Sequence, residues 1–227
     1  PAVGPYLEGR IETVARALER DGQSVLAYRL LAREQVEGGN LDRAADFFES
    51  AGDTIEAARI RSETGDFIRS ARLYEQAEQD REAARMWRQA GHWVEAGQAF
   101  ERAEDLEAAI ECYREARAID SWISVLERRG RTFEAAQLAL DADQRPRAIR
   151  LLQAISPDDA DFTEASWLLV GAFERESHFD LAAQKLEQHI ASHPARGAPG
   201  DRYAKLAELY EAAGHLERAL EVLEDLR

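Results

Sequence analysis

The chain has 227 residues, 45% of them hydrophobic, and a formal net charge of -15. That apolar share supports a sizeable buried core and excludes wholesale disorder. The acid excess repels phosphate backbones and anionic lipid surfaces, which speaks against nucleic-acid and membrane partners.

One cysteine, Cys112, excludes an internal disulfide and fits a reducing, cytoplasmic setting. No apolar run reaches the roughly 18 residues that a membrane span needs. The basic charge is almost all arginine, with Lys185 and Lys205 the only lysines. The chain starts at Pro1 and stops inside a helical pattern at Arg227, as a fragment of a longer protein would.

Helices are predicted near 8–20 and 24–36. From Gly39 the chain then falls into repeats of thirteen residues, beginning GNLDRAADFFESA and GDTIEAARIRSET, and nine of them run to Ile155 without an insertion. Each opens with turn formers, mostly Gly followed by Asp, Asn, Gln or His, which suit the left-handed end of one helix and the cap of the next. Positions six and seven are small (Ala44 and Ala45, Ala57 and Ala58, Ala83 and Ala84), position ten is usually large (Phe48, Tyr74, Trp87, Phe100, Tyr113), and position thirteen is small again. Positions six, ten and thirteen follow the i, i+4, i+7 spacing of one helix face.

Each repeat therefore predicts a helix of about ten residues, some 15 Å long. A helix so short is not stable alone and must pack on both neighbours. One repeat is irregular: Trp122 stands at position six, where a small residue is the rule, and Arg129 at position thirteen. An indole in that contact predicts wider spacing or a changed twist near 117–129. Beyond Ile155, Ser156–Asp161 and the Pro/Gly-rich stretch 193–201 read as bends or linkers around helices at 162–175, 179–191, 202–213 and 216–226.

Tyr203, Leu206, Ala207, Tyr210, Ala219, Leu223 and Leu226 resemble the tetratricopeptide repeat, as do Leu169, Phe173, Ala182, Leu186 and Pro194, and Leu31, Ala32, Ala44, Phe48 and Ala51. The resemblance covers about residues 24–226. It implies an all-α fold, a right-handed superhelix of about fifteen short antiparallel helices. Two repeats here make 26 residues rather than the usual 34 or so, which is similar to the short-helix arrays of coat and ciliary-transport subunits. The expected organisation is a short-repeat array over 1–155 and two tetratricopeptide-like hairpins over 156–227 within one solenoid. First-type helices, which line the concave groove of the resembled family, fall near 24–36, 54–64, 80–90, 106–116, 132–142, 162–175 and 202–213.

Chemistry is sparse. His92, His178 and His215 fall at turn positions. His189 and His193 stand four apart, a spacing that could share a metal, but Pro194 ends the helix and no Glu completes a protease pattern. Cys112 occupies position nine beside core hydrophobes of other repeats. No phosphate-cradling loop or nucleophile elbow occurs. No catalytic residue, metal site or cofactor is expected.

What remains is a surface. The resemblance places Arg59, Arg81, Arg85 and Arg88 in the groove as a basic patch, with the apolar Phe133, Leu140 and Trp167 further along. Whether the arginines stand unpaired or pair with neighbouring Glu and Asp, and whether the apolar groups only pack in the solenoid, stays open in the sequence. The expected function is a scaffold or adaptor for a protein partner whose bound segment is acidic at one end and apolar at the other. A spacer without a dedicated ligand, or a regulatory domain with a small-molecule pocket, remains open at this point, as does the oligomeric state. The Lys and Asn of the family's carboxylate clamp are absent.

Overall fold

The computed structural model describes residues 4–192 and 199–224, with side chains for 10–192 and 200–224. The expectations that rest on His193, Pro194, Gly197 and Leu226 lie outside the described residues. Among the described residues there are fifteen helices and no strand, a tetratricopeptide-like array of short helical hairpins. The chain divides into two compact units, Pro1–Ala118 and Ile119–Arg227.

The first unit holds α1 (Gly4–Arg20), α2 (Ser24–Glu37), α3 (Leu41–Ala51), α4 (Thr54–Glu63), α5 (Phe67–Gln76), α6 (Asp80–Gln89), α7 (Trp93–Arg102) and α8 (Leu106–Ala116). The second holds α9 (Ile119–Arg128), α10 (Thr132–Asp141), α11 (Arg145–Gln153), α12 (Phe162–Arg175), α13 (Phe179–Ser192), α14 (Pro199–Ala212) and α15 (Leu216–Glu224). Within each unit every helix packs on the next in sequence. The even-numbered helices are the first-type helices of the repeat pattern.

The thirteen-residue beat is visible in the backbone. The first residue of all nine repeats is left-handed, from Gly39 through Gly52, Gly65, Glu78, Gly91, Glu104, Arg117 and Gly130 to Asp143, with φ between 52° and 85°. That conformation turns the last carbonyls of one helix back to the following amides. The amide of Asp53 donates to Phe48 O, that of His92 to Trp87 O and that of Asp105 to Phe100 O, each at 2.9 Å. The second residue then starts the new helix: Ala57 N donates to Asp53 O and Ala96 N to His92 O. His178 and His215 make the same pair of bonds, so the three turn histidines are backbone punctuation.

Positions six and seven close the helix contacts. Ala44, Ala45, Ala57, Ala58, Ala83, Ala84, Ala96, Ala135 and Ala136 are all wholly buried. Small residues let neighbouring axes approach to about 8–10 Å. Position ten supplies the larger core groups, Phe48, Trp87, Phe100 and Tyr113. In α4 that position is Arg61, also buried, and its guanidinium meets Asp42, Asp46 and Glu49 of α3. Three carboxylates replace the water that a buried cation would lose. Cys112 is 1% exposed and burial pushes its thiol pKa up, which suits a core group rather than a nucleophile.

The boundary between the compact units falls at the head of α9, the helix that carries Trp122. Its indole Nε1 is buried without a hydrogen-bond partner.

Candidate functional site

Ion pairs clip helices of like parity together along the first unit. Arg69 of α5 reaches Glu49 of α3 at 3.0 Å, and Arg102 of α7 reaches Glu75 of α5 at 2.6 Å. On the even-numbered side, Arg29 of α2 grips Asp53, the residue before α4, with two bonds of 2.5 and 2.6 Å. That grip holds the Asp53 carboxyl pKa below its ordinary value, with Arg33 adding to the effect.

In the first unit, clefts between even-numbered helices take their floor from the helix between them. Arg33, Arg59 and Arg85 recur every twenty-six residues on α2, α4 and α6, and Phe48, Tyr74 and Phe100 recur with the same period on α3, α5 and α7. Two clefts follow this rule. One, of about 480 Å³, lies between α2 and α4, with Arg29, Arg33 and Arg59 on its walls and Phe48 beneath. The other, of about 330 Å³, lies between α6 and α8, with Arg81, Arg85 and Arg88 above Phe100 and with Asp105 and Ala108 opposite.

The two clefts differ in charge. In the first, Arg59 is held by Glu56 at 2.6 Å and by Glu63, and Arg29 by Asp53. Of the two readings open for the arginines, Arg59 therefore takes the paired one: its neighbours at i−3 and i+4 neutralise it. In the second cleft Arg85 comes no closer than 3.9 Å to Glu82, and Arg81 and Arg88 reach no carboxylate among the described residues. The guanidinium of Arg88 lies 5.7 Å from the centroid of Phe100, a cation–π contact. Glu107 and Glu111 of α8 stand in register with Arg81 and Arg85, yet no ion pair joins them to those arginines.

The sequence-predicted residues thus separate. Arg81, Arg85 and Arg88 share one cleft, since 81, 85 and 88 lie on one face of α6 while Ala83, Ala84 and Trp87 bury the other. Phe133 and Leu140, both half-buried, belong to α10, where Phe133 borders a small cleft with Thr132, Ile155 and Asp161. Trp167 of α12 is 36% exposed and meets the buried ring of His189 edge-on at 6.1 Å. His189 also faces Phe162 at 6.0 Å and so sits in an aromatic core. Among the described residues no group of three His, Cys, Asp or Glu side chains is placed to hold a metal, and no helix is long and apolar enough to cross a membrane.

No family model matches the chain, and no curated protein matches it. Several solved structures share its short helical repeats at low identity. MamA is 16% identical over 76% of this chain and 87% of its own, with a TM-score of 0.38. YrrB, described as a TPR protein with an unusual peptide-binding site, is 16% identical over 94% and 90%, with a TM-score of 0.34. BtubC (BKLC) from P. vanneervenii is 17% identical over 96% and 85%, also at 0.34. Likenesses of that size carry no functional argument, which rests on the geometry above.

Proposed function

We propose that the chain is a protein-interaction scaffold and that the α6 face of its first unit takes an acidic segment of a partner protein. The observation that carries this reading is the contrast between the two clefts. In a chain of net charge -15, Arg81, Arg85 and Arg88 stand together over an aromatic floor, with Glu82 no closer than 3.9 Å and Asp105 on the opposite wall, while Arg59 is neutralised by its own helix and Arg29 by Asp53 at the head of α4. Like charges held together raise the energy of the free protein, and a few carboxylates from a partner would relieve it. A nucleic-acid duplex would bring a dense row of phosphates against the rest of the acidic surface, so a short acidic peptide segment suits this face better. Trp167, exposed on α12, is proposed as a separate apolar contact in the second unit, where an aromatic anchor would slow dissociation.

The test places a photo-crosslinker on each face. Gln89, exposed on α6, is replaced by cysteine and labelled with benzophenone; Arg72, exposed on α5, is treated the same way. The partner captured by the unlabelled chain should crosslink at position 89 through an Asp/Glu-rich segment and not at position 72. Crosslinking at 72 alone, or through a segment without acidic residues, would overturn the reading.

A further inference from the structure

The second unit carries a cleft that the arginine site does not involve. Of about 670 Å³, it opens between the end of α11, the turn at Ser156–Pro157 and one face of α13. Its origin lies in the chain. In the nine repeats two or three residues join consecutive helices, but eight separate Gln153 from Phe162, and α12 packs less closely on α11 than the preceding helices of the unit pack on one another. Phe162, Leu169 and Phe173 of α12 lie beneath it, each 5% exposed or less, and apolar surface open to solvent comes from Leu181 and Pro157. Leu181, Gln184, Lys185 and Gln188 form the far wall at i, i+3, i+4, i+7, one stripe of α13. Leu181 leaves 45% of its surface in water.

Lys185 is the unusual member. Its ammonium lies 4.8 Å from the centroid of Phe162 and donates to Gln188 Oε1 at 3.3 Å, and no carboxylate reaches it among the described residues. The other lysine, Lys205, is gripped by Glu174 at 2.7 Å and by Glu208. Burial alone lowers the pKa of Lys185, the sign of an ammonium that has lost water without gaining a counter-charge. Glutamine amides stand on both walls, Gln153 on one and Gln184 on the other, each able to donate to and accept from a peptide backbone.

We infer that this cleft docks an internal segment of a protein partner that sets a large apolar side chain against the exposed Leu181, above the buried Phe162–Leu169–Phe173 layer, and an adjacent Asp or Glu carboxylate on Lys185. The volume lies within the range of ligand-sized pockets, about 300–1,000 Å³. Leu181 provides the apolar contact, and the uncompensated ammonium selects the acidic neighbour. Amides on both walls suit a backbone that passes through rather than one that ends inside. This site is independent of the α6 cleft.

The probe is a fluorescein-labelled hexapeptide, Ser-Ala-Phe-Glu-Ala-Ser, amidated at its C-terminus and titrated into the full 227-residue chain. Saturable binding is expected, weakened about tenfold or more by Glu→Gln in the peptide and by Lys185→Gln in the protein, partly restored by Lys185→Arg, and indifferent to Arg81→Glu with Arg85→Glu. Because the chain has only two lysines, protein labelled with 13C-lysine provides a second readout: the peptide should shift the Lys185 Cε signal and leave that of Lys205 in place. No saturation by about 1 mM peptide, binding insensitive to Lys185→Gln, or loss of binding only on the arginine reversals would overturn the proposal. So would markedly tighter binding of the same peptide with a free C-terminal carboxylate.

Discussion

Tyr113 occupies the space that a methyl group on Gly97 would need: a Cβ built there lies 2.6 Å from the ring's Cε1. Position seven of this repeat is glycine where the four repeats before it carry alanine, because α8 presses an aromatic ring directly on α7. The ring is 1% exposed and its hydroxyl donates to Glu101. Gly97→Ala is expected to destabilise the protein by about 1–3 kcal/mol in urea denaturation, and Tyr113→Leu is expected to recover part of that loss. A cost below about 0.5 kcal/mol would show that the ring is not held where it is described.

The left-handed turn residues make a second expectation. Glu78, Glu104 and Asp143 adopt at φ of 55–58° the conformation that glycine supplies in five of the other repeats. A side chain there costs on the order of 1–2 kcal/mol, so replacing any of the three by glycine is expected to raise stability by about 1 kcal/mol. Gly52→Ala, where a Cβ would meet nothing but would hold a φ of 79°, is expected to lower it by a similar amount. Urea midpoints of these four variants decide the matter, and changes of the opposite sign would refute the role of these turns.

Arg61 separates loss of a cation from loss of its partners. Its side chain is 5% exposed, while Asp42 and Asp46 are 79% and 58% exposed. Arg61→Met leaves carboxylates that can rehydrate and places an apolar chain in an apolar slot, so it is expected to lie within about 1 kcal/mol of the parent. Asp46→Ala with Glu49→Ala leaves the buried guanidinium only Asp42, at 3.4 Å, and is expected to cost about 3 kcal/mol. Calorimetric melting temperatures in the reverse order would contradict the account.

The protein is expected to lose stability at alkaline pH through two tyrosines. The hydroxyl of Tyr113 and that of Tyr210, which donates to Glu187, are buried against carboxylates. Burial first and the hydrogen bond second raise both pKa values, that of Tyr210 to about 12. In the unfolded chain both titrate near 10. A group whose pKa is raised by folding stabilises fully below the unfolded value, and the stabilisation drains away as pH rises from about 10 through the folded value. Urea midpoints should therefore fall between about pH 10 and 12, and Tyr113→Phe with Tyr210→Phe should flatten that fall. An unchanged slope in the double variant would assign it to other groups.

Most of the fold was legible because the repeat is redundant: the same turn, small pair and large residue recur, and helix ends fall within a residue or two of the periodic reading across Leu41–Gln153. The site was legible only in outline. That 81, 85 and 88 share a helix face follows from 3.6 residues per turn, but whether an arginine is neutralised depends on which carboxylates its side chain finds. Glu56 and Glu63 flank Arg59, and pairing with neighbouring acids, one of the two readings open in the sequence, holds for Arg59. Arg61 breaks the apolar rule at position ten, and the three acids of α3 that meet it lie twelve to nineteen residues upstream. The twenty-six-residue recurrence of Arg33, Arg59 and Arg85 with Phe48, Tyr74 and Phe100 was an available signal of a floored arginine face. For the Lys185 cleft the sequence offered the break at Ser156–Asp161, but not that Lys185 would face it with no carboxylate in reach among the described residues, which depends on where the side chains of α11 to α13 settle.

The central claim is that the unneutralised arginines of α6 recruit an acidic partner segment, and the association rate of that segment as a function of salt tests it most directly. Arg81→Glu with Arg85→Glu is to be compared with Arg43→Glu and Arg72→Glu, which change the net charge equally but lie exposed on α3 and α5. The account predicts that the α6 pair slows association by about tenfold or more at low salt and removes most of its salt dependence, while the α3/α5 pair leaves both nearly as in the parent. Equal slowing by the two pairs would mean that only overall charge matters, and no slowing by the α6 pair would mean that the partner binds elsewhere; either result would contradict the claim.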